Sequence, residues 1–160
     1  VAALGGRPLP GRPVRPENWH LTMRFLGDTD EAGYDRVRAE LDTRDLGDAF
    51  ALGFAGLGAF PRPQRATVLW IGIGRGGPEL AALAGTCEEA VRAAGFDPED
   101  RPFSAHLTLS RIRPHQDVHA LTDAVPPFPL TQPVTEVVLY RSHLGRGGAR
   151  YEALDRFPLG

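Results

Sequence analysis

There is no lysine in this sequence; all 18 basic residues are arginine. That absence removes whole classes of chemistry, because no Schiff base, no P-loop lysine and no lysine–nucleotidyl intermediate can form. An ATP-driven ligase working through adenylyl-lysine is therefore excluded. Glycine, proline, alanine and arginine are all abundant, so a compositional bias accounts for most of the arginine excess. Cysteine is almost absent. Cys87 stands alone, which rules out an internal disulfide and a multi-cysteine zinc or iron–sulfur centre. Its setting predicts a small buried hydrophobe on a helix, and a reducing, cytoplasmic location is the expectation. Long apolar runs are missing too: none approaches the ~18 residues that span a bilayer. The stretch Val1-Ala2-Ala3-Leu4-Gly5-Gly6 has neither a basic n-region nor a long apolar h-region, so no signal peptide is read there.

What is present is a chain of 160 residues, enough for one domain with a real core. The net charge of −2 hides an asymmetry. Residues 1–24 hold four arginines against one glutamate, and residues 101–113 and 141–151 each hold three arginines and no acid. Three basic segments on an acidic body predict a local anion site if they converge in space.

Hydrophobic spacing outlines the elements. Residues 1–17, rich in Gly, Pro and Arg, read as an irregular approach, and Trp19–Phe25 alternates like a strand. Asp30 precedes a helical pattern with Tyr34, Val37 and Leu41 on one face. Residues 49–57 and 66–73 read as strands around the Pro61-Arg62-Pro63 turn. Pro78 opens a second helix, with Leu80, Leu83, Ala84, Cys87 and Val91 on its apolar face, closed by Gly95. Residues 105–112 form a strand, a proline-rich loop runs through Pro126-Pro127-Phe128-Pro129, and strands over 134–141 and 150–157 follow. Helices mixed with hairpin-like strand pairs predict an α+β fold.

One string recurs. Trp19-His20-Leu21-Thr22-Met23-Arg24 resembles Ala105-His106-Leu107-Thr108-Leu109-Ser110-Arg111, and the duplication suggests two similar lobes facing one another. In a strand, residues i and i+2 share a face. His20 and Thr22 then point one way with Leu21 and Met23 behind them, and His106 and Thr108 repeat the arrangement. Imidazole is the side chain best suited to moving protons near neutral pH, and a threonine hydroxyl can donate to a phosphoryl oxygen. Two such pairs would grip a phosphate, one imidazole accepting a proton from water while the other gives one to the departing oxygen. His115, His119 and His143 lack the pattern and read as surface residues. A metal site is a poor reading, since no carboxylate sits at ligand spacing beside either histidine.

These residues resemble the RNA 2′,3′-cyclic phosphodiesterases, also called 2′-5′ RNA ligases (the ThpR/LigT family), of the two-histidine phosphoesterase superfamily. The likeness is carried by Arg15-Pro16-Glu17-Asn18-Trp19-His20-Leu21-Thr22-Met23-Arg24-Phe25-Leu26-Gly27 and by Phe103-Ser104-Ala105-His106-Leu107-Thr108-Leu109-Ser110-Arg111. A third stretch runs from Val134 to Ser142, with Tyr151 to Leu159 behind it. The resemblance implies a single domain over residues 1–160: a bilobal α+β structure with pseudo-two-fold symmetry, two facing antiparallel sheets, flanking helices and the histidines in a central cleft. It implies hydrolysis of RNA 2′,3′-cyclic phosphate ends to 2′-phosphomonoesters, with His20 as general acid and His106 as general base. Thr22 and Thr108 would bind phosphate, Arg111 would contact the nucleotide and Phe25 would pack on the terminal base. Strand parity does not put Phe25 or Arg111 beside the histidines, so each needs a strand end or a bulge.

No cofactor, no metal and no protein partner is implied; the expected form is a monomer acting on RNA ends or nucleotides, away from membranes. The family's short strand and helix upstream of Val1 are not in this sequence, which leaves the edge of the first sheet open. The rival from another class is an RNA-end binding module without turnover, against which both histidines weigh, since arginine alone would serve binding. A sister activity on a different cyclic nucleotide is the other enzymatic alternative.

Overall fold

The computed structural model describes residues 7–160; the Val1–Gly6 stretch lies outside the described residues. The fold is α+β, as the mixed pattern predicts. It contains strands β1 (Arg12–Pro13), β2 (Phe50–Phe60), β3 (Ala66–Ile73), β4 (His106–Gln116), β5 (Thr131–Val134), β6 (Glu136–His143) and β7 (Arg150–Pro158). The helices are α1 (Glu31–Thr43), α2 (Gly77–Ala93) and α3 (His119–Ala124). A five-stranded sheet runs in the order β1-β4-β3-β2-β5, and β6 and β7 form a separate two-stranded sheet. The β1/β4, β3/β4, β2/β3 and β6/β7 pairings are all antiparallel.

The chain divides into two compact units, each assembled from three stretches. Among the described residues, the first comprises 7–21, 52–76 and 105–132, and the second comprises 22–51, 77–104 and 133–160. In the first, one face of the sheet is covered by a core of Ala59, Ala66, Leu69, Ile112 and Val118, with Leu121 of α3 against it. Leu69 and Ile112 are wholly buried, each contributing about 2 kcal/mol through apolar area removed from water. In the second unit, Val37 and Leu41 of α1 meet Leu83, Cys87, Ala90 and Val91 of α2 and Phe157 of β7. The Cys87 thiol is buried there and pushed up to about 11, so it stays un-ionised and behaves as the small hydrophobe its position predicts.

Helix α1 starts where Asp30 suggests: its carboxylate accepts the Gly33 N–H at 2.8 Å, which satisfies one of the orphan donors of the first turn. Three expectations need correction. Trp19–Phe25 is not a strand; only Leu21 bridges, to Leu107. The chain leaves β4 after that single bridge because Met23 and Leu26 pack into the core of the second unit. The strand expected over 134–141 is two, broken at Thr135, one in each sheet. Helix α3 has no counterpart in the sequence reading: it is six residues long, and its N-cap Val118 offers no side-chain bond.

Within the second unit, Arg24 forms an ion pair with Glu88 and donates to the Asp97 carbonyl. Burial raises the Glu88 carboxyl, but the Glu99 N–H and the Arg24 guanidinium outweigh it and hold it below its ordinary value. A depressed carboxyl contributes stability above its unfolded pKa of ~4.3 and loses it as pH falls through the folded value. Glu88→Gln is therefore expected to cost about 1 kcal/mol at pH 7. In urea titrations across pH the gap between variant and native protein should close below pH ~4; a gap that persists in acid contradicts this linkage.

Candidate active site

The strand β4 and its two neighbours set the geometry. The β3/β4 register pairs Gly72 with His106, Ile71 with Leu107 and Trp70 with Thr108. It then slips: Leu69 pairs with Ser110 and Val68 with Arg111, so β4 carries one extra residue, a bulge at Leu109. Leu107, Leu109 and Ser110 are all buried, whereas His106 and Thr108 are half-buried and Arg111 is exposed. Since Trp70 and Val68 are two apart on β3, Thr108 and Arg111 share a face. The bulge thus supplies the change of phase that simple alternation denies to Arg111, and it brings Arg111 onto the face of His106.

His20 lies on the other side of β4 from β3. The antiparallel bridge between Leu21 and Leu107 sets the position of His20 level with that of Thr108, so both histidines fall in the first unit. A 3₁₀ turn at Pro16–Asn18 leads into His20. The imidazole donates from Nδ1 to the Asn18 carbonyl at 2.7 Å. A carbonyl can only accept, so Nδ1 carries the hydrogen and proton exchange is left to Nε2. Thr22 is exposed and is the first residue of the second unit. Phe25, also in the second unit, is 69% exposed.

Two residues of this face escape sequence reasoning. Phe60 meets the His106 ring edge-on, with centroids 5.0 Å apart and planes at 88°. Trp70 lies 6.1 Å from the same ring and 5.1 Å from Phe60. Phe60 is paired with Val68 and Gly58 with Trp70, so this face presents His106 first, then Trp70 and Thr108, then Phe60, Val68, Arg111 and Arg12. Phe60 and Trp70 sit 46 and 36 residues from His106 in the chain, and only sheet register joins them to it. Their aromatic and β-rich surroundings mark strands but carry no sign of proximity to a histidine.

Charge is sorted by unit and not by the three segments noted in the sequence. The first unit holds eight arginines against three acids, a net charge of +5; the second holds ten arginines against 17 acids, a net charge of −7. Arg62, Arg65 and Arg75 add to the basic unit, whereas Arg24, Arg101 and residues 141–151 fall in the acidic one. An imidazole anchored at Nδ1 on the segment beside β4, and a second imidazole packed beside two aromatic rings on a face that also carries a hydroxyl and a guanidinium, are groups suited to proton transfer around a phosphate.

The sequence model of the LigT-like phosphoesterases matches residues 5–70 and 73–151. An RNA 2′,3′-cyclic phosphodiesterase of Aeropyrum pernix is 34% identical over 91% of this chain and 85% of its own length. The enzyme of that name from Escherichia coli is 33% identical, covering 95% of this chain and 82% of its own. Among solved structures, Escherichia coli LigT complexed with 3′-AMP superposes with a TM-score of 0.78 at 30% identity, over 93% of this chain and 81% of that one. A Thermus thermophilus protein reaches 0.79 at 30% identity, over 99% and 87%. With the repeated histidine–threonine strings inside the matched segments, this chain is a member of the LigT-like phosphoesterase family.

Proposed function

We propose that the protein opens RNA 2′,3′-cyclic phosphate ends to 2′-phosphomonoesters, with His20 as general acid and His106 as general base. Water attacks phosphorus in line, and its proton passes to His106. The bond from phosphorus to the 3′ oxygen breaks as His20 delivers a proton from Nε2 to that oxygen, leaving a 3′-hydroxyl and a 2′-phosphate. Thr22 and Thr108 donate to the non-bridging oxygens, Arg111 contacts the nucleotide and Phe25 packs on the terminal base. By microscopic reversibility, attack of an RNA 5′-hydroxyl in place of water forms a 2′-5′ bond without ATP. The whole chain acts as one phosphoesterase domain of two lobes, a monomer in the cytoplasm that uses no metal.

What supports this reading is the Leu21–Leu107 bridge, which sets His20 level with Thr108 on the segment beside β4, together with the anchoring of His20 through Nδ1 to Asn18 and the Phe60 and Trp70 rings beside His106. It is supported by family membership and by the name shared by the curated relatives. General acid–base help is worth about 10²–10⁴-fold per group, so loss of either imidazole should be plain in the kinetics. The test is turnover of a cyclic mononucleotide in excess EDTA across pH. Activity is expected to survive chelation and to follow a bell in kcat/KM, because one imidazole must be charged and the other neutral. Loss on chelation with recovery on adding metal rejects the mechanism.

A further inference from the structure

We propose that Arg12 and Arg111 form a subsite for a second phosphate, the internucleotide phosphodiester one step upstream of the cyclic end. The preferred substrate is then an RNA strand of two or more nucleotides and not a cyclic mononucleotide. This inference rests on the reading of His20 and His106 given above and names the substrate class of that site.

Arg12 of β1 is the register partner of Arg111 of β4. Partners in an antiparallel pair project from the same face with Cβ atoms about 5 Å apart, and both residues are exposed. Because of the bulge at Leu109, that face is the one bearing His106 and Thr108. The arginine row lies two β3 residues from the Thr108 row, a rise of about 6.6 Å, comparable with the span of one sugar–phosphate unit. Guanidinium forks match phosphate oxygens in pairs, so two of them side by side, one nucleotide step from the Thr108 row, suit the next phosphate of a strand.

The fold holds β1 firmly in this position. A two-residue strand has few ladder bonds of its own, yet the Val14 N–H donates to the Leu109 carbonyl at 2.8 Å. The hydroxyl of Ser110, wholly buried, donates to the Pro10 carbonyl at 2.5 Å. The Trp19 indole N–H donates to the Val14 carbonyl at 3.0 Å. Gly11 has φ +74, and a Cβ there would lie 2.5 Å from the Arg111 carbonyl oxygen; only glycine lets β1 approach so closely. These contacts converge on the segment that carries Arg12, inside a unit of net charge +5.

The experiment compares uridine 2′,3′-cyclic phosphate with a hexauridylate ending in a 2′,3′-cyclic phosphate, using native protein, Arg12→Ala and Arg12→Lys at several salt concentrations. Native protein is expected to favour the hexamer. Arg12→Ala should lose about tenfold in kcat/KM on the hexamer, mainly through KM, and stay within about twofold of native on the mononucleotide, which also shows that it folds. The salt slope for the hexamer should fall by about 0.7, the share of one single-strand phosphate contact. Arg12→Lys should recover part of the loss, since the charge returns without the fork. Equal losses on both substrates, or unchanged hexamer kinetics, overturn the subsite. If native protein turns over both substrates while Arg12→Ala is neutral, the subsite alone fails. If native protein turns over neither, the proposed function fails and takes the subsite with it.

Discussion

His20→Ala and His106→Ala are each expected to lower kcat on a cyclic phosphate by at least about 10²-fold, with the double variant within a few-fold of the poorer single. In the proposed mechanism the two imidazoles act in one concerted displacement: one takes the proton of water as the other supplies the proton of the leaving oxygen. Once either is gone, the remaining group has no partner step to assist, so the losses do not add. His20 has a second dependence, on the carbonyl of Asn18, which receives its Nδ1 hydrogen. Each histidine is only half-buried, so alanine leaves no large cavity and thermal stability should change little. Steady-state kinetics on the two singles and the double measure this directly. Near-native activity in either single variant removes that histidine from the mechanism, and strictly multiplicative losses would show that the two act in separate steps.

Gly58→Ala should lower kcat by about tenfold, an effect out of scale with the addition of one methyl group. A Cβ at Gly58 would lie 2.2 Å from the Trp70 ring, and Trp70 in turn touches both Phe60 and the imidazole of His106. The indole must move, and overpacking of this kind costs about 1–3 kcal/mol. The displaced ring no longer fixes the imidazole, and small misplacements of a catalytic group cost much in rate. Trp70→Phe offers a clean control. The buried indole N–H has no hydrogen-bond partner among the described residues, so the smaller ring forfeits none and leaves room for the new methyl group. The double variant Gly58→Ala, Trp70→Phe is therefore expected to regain most of the lost kcat. Failure of that rescue, with native stability restored, would mean that Trp70 does not position His106.

The contrast between His106 and Arg111 shows what sequence could and could not convey. His106 and Thr108 are legible because alternation puts i and i+2 on one face, and the register with Gly72 and Trp70 keeps it so. Arg111 breaks that parity, and the cause is a bulge whose core-facing residue is a serine. Ser110 is buried only because its hydroxyl reaches the Pro10 carbonyl, 100 residues away. Nothing local in the chain signals such a bond. Likewise Trp19–Phe25 alternates like a strand, but its residues serve two units: Leu21 makes a backbone bridge to Leu107 in the first, and Met23 packs against the core of the second. The helices α1 and α2 were legible because their apolar stripes are long and bounded by Asp30, Pro78 and Gly95. Helix α3, too short to show a period, was not. The division into two units interleaved three times is a product of long-range pairing, and so is the sorting of charge between them.

The central claim is that this protein expels the 3′ oxygen from a 2′,3′-cyclic phosphate with His20 and His106. The most direct measurement is phosphorus NMR of the products formed from a cyclic mononucleotide in EDTA by native protein and by the His20→Ala, His106→Ala double variant. The account predicts a single 2′-phosphomonoester from native protein and unreacted cyclic phosphate from the variant over the same interval. A 3′-phosphomonoester, or equal conversion by the double variant, would contradict it.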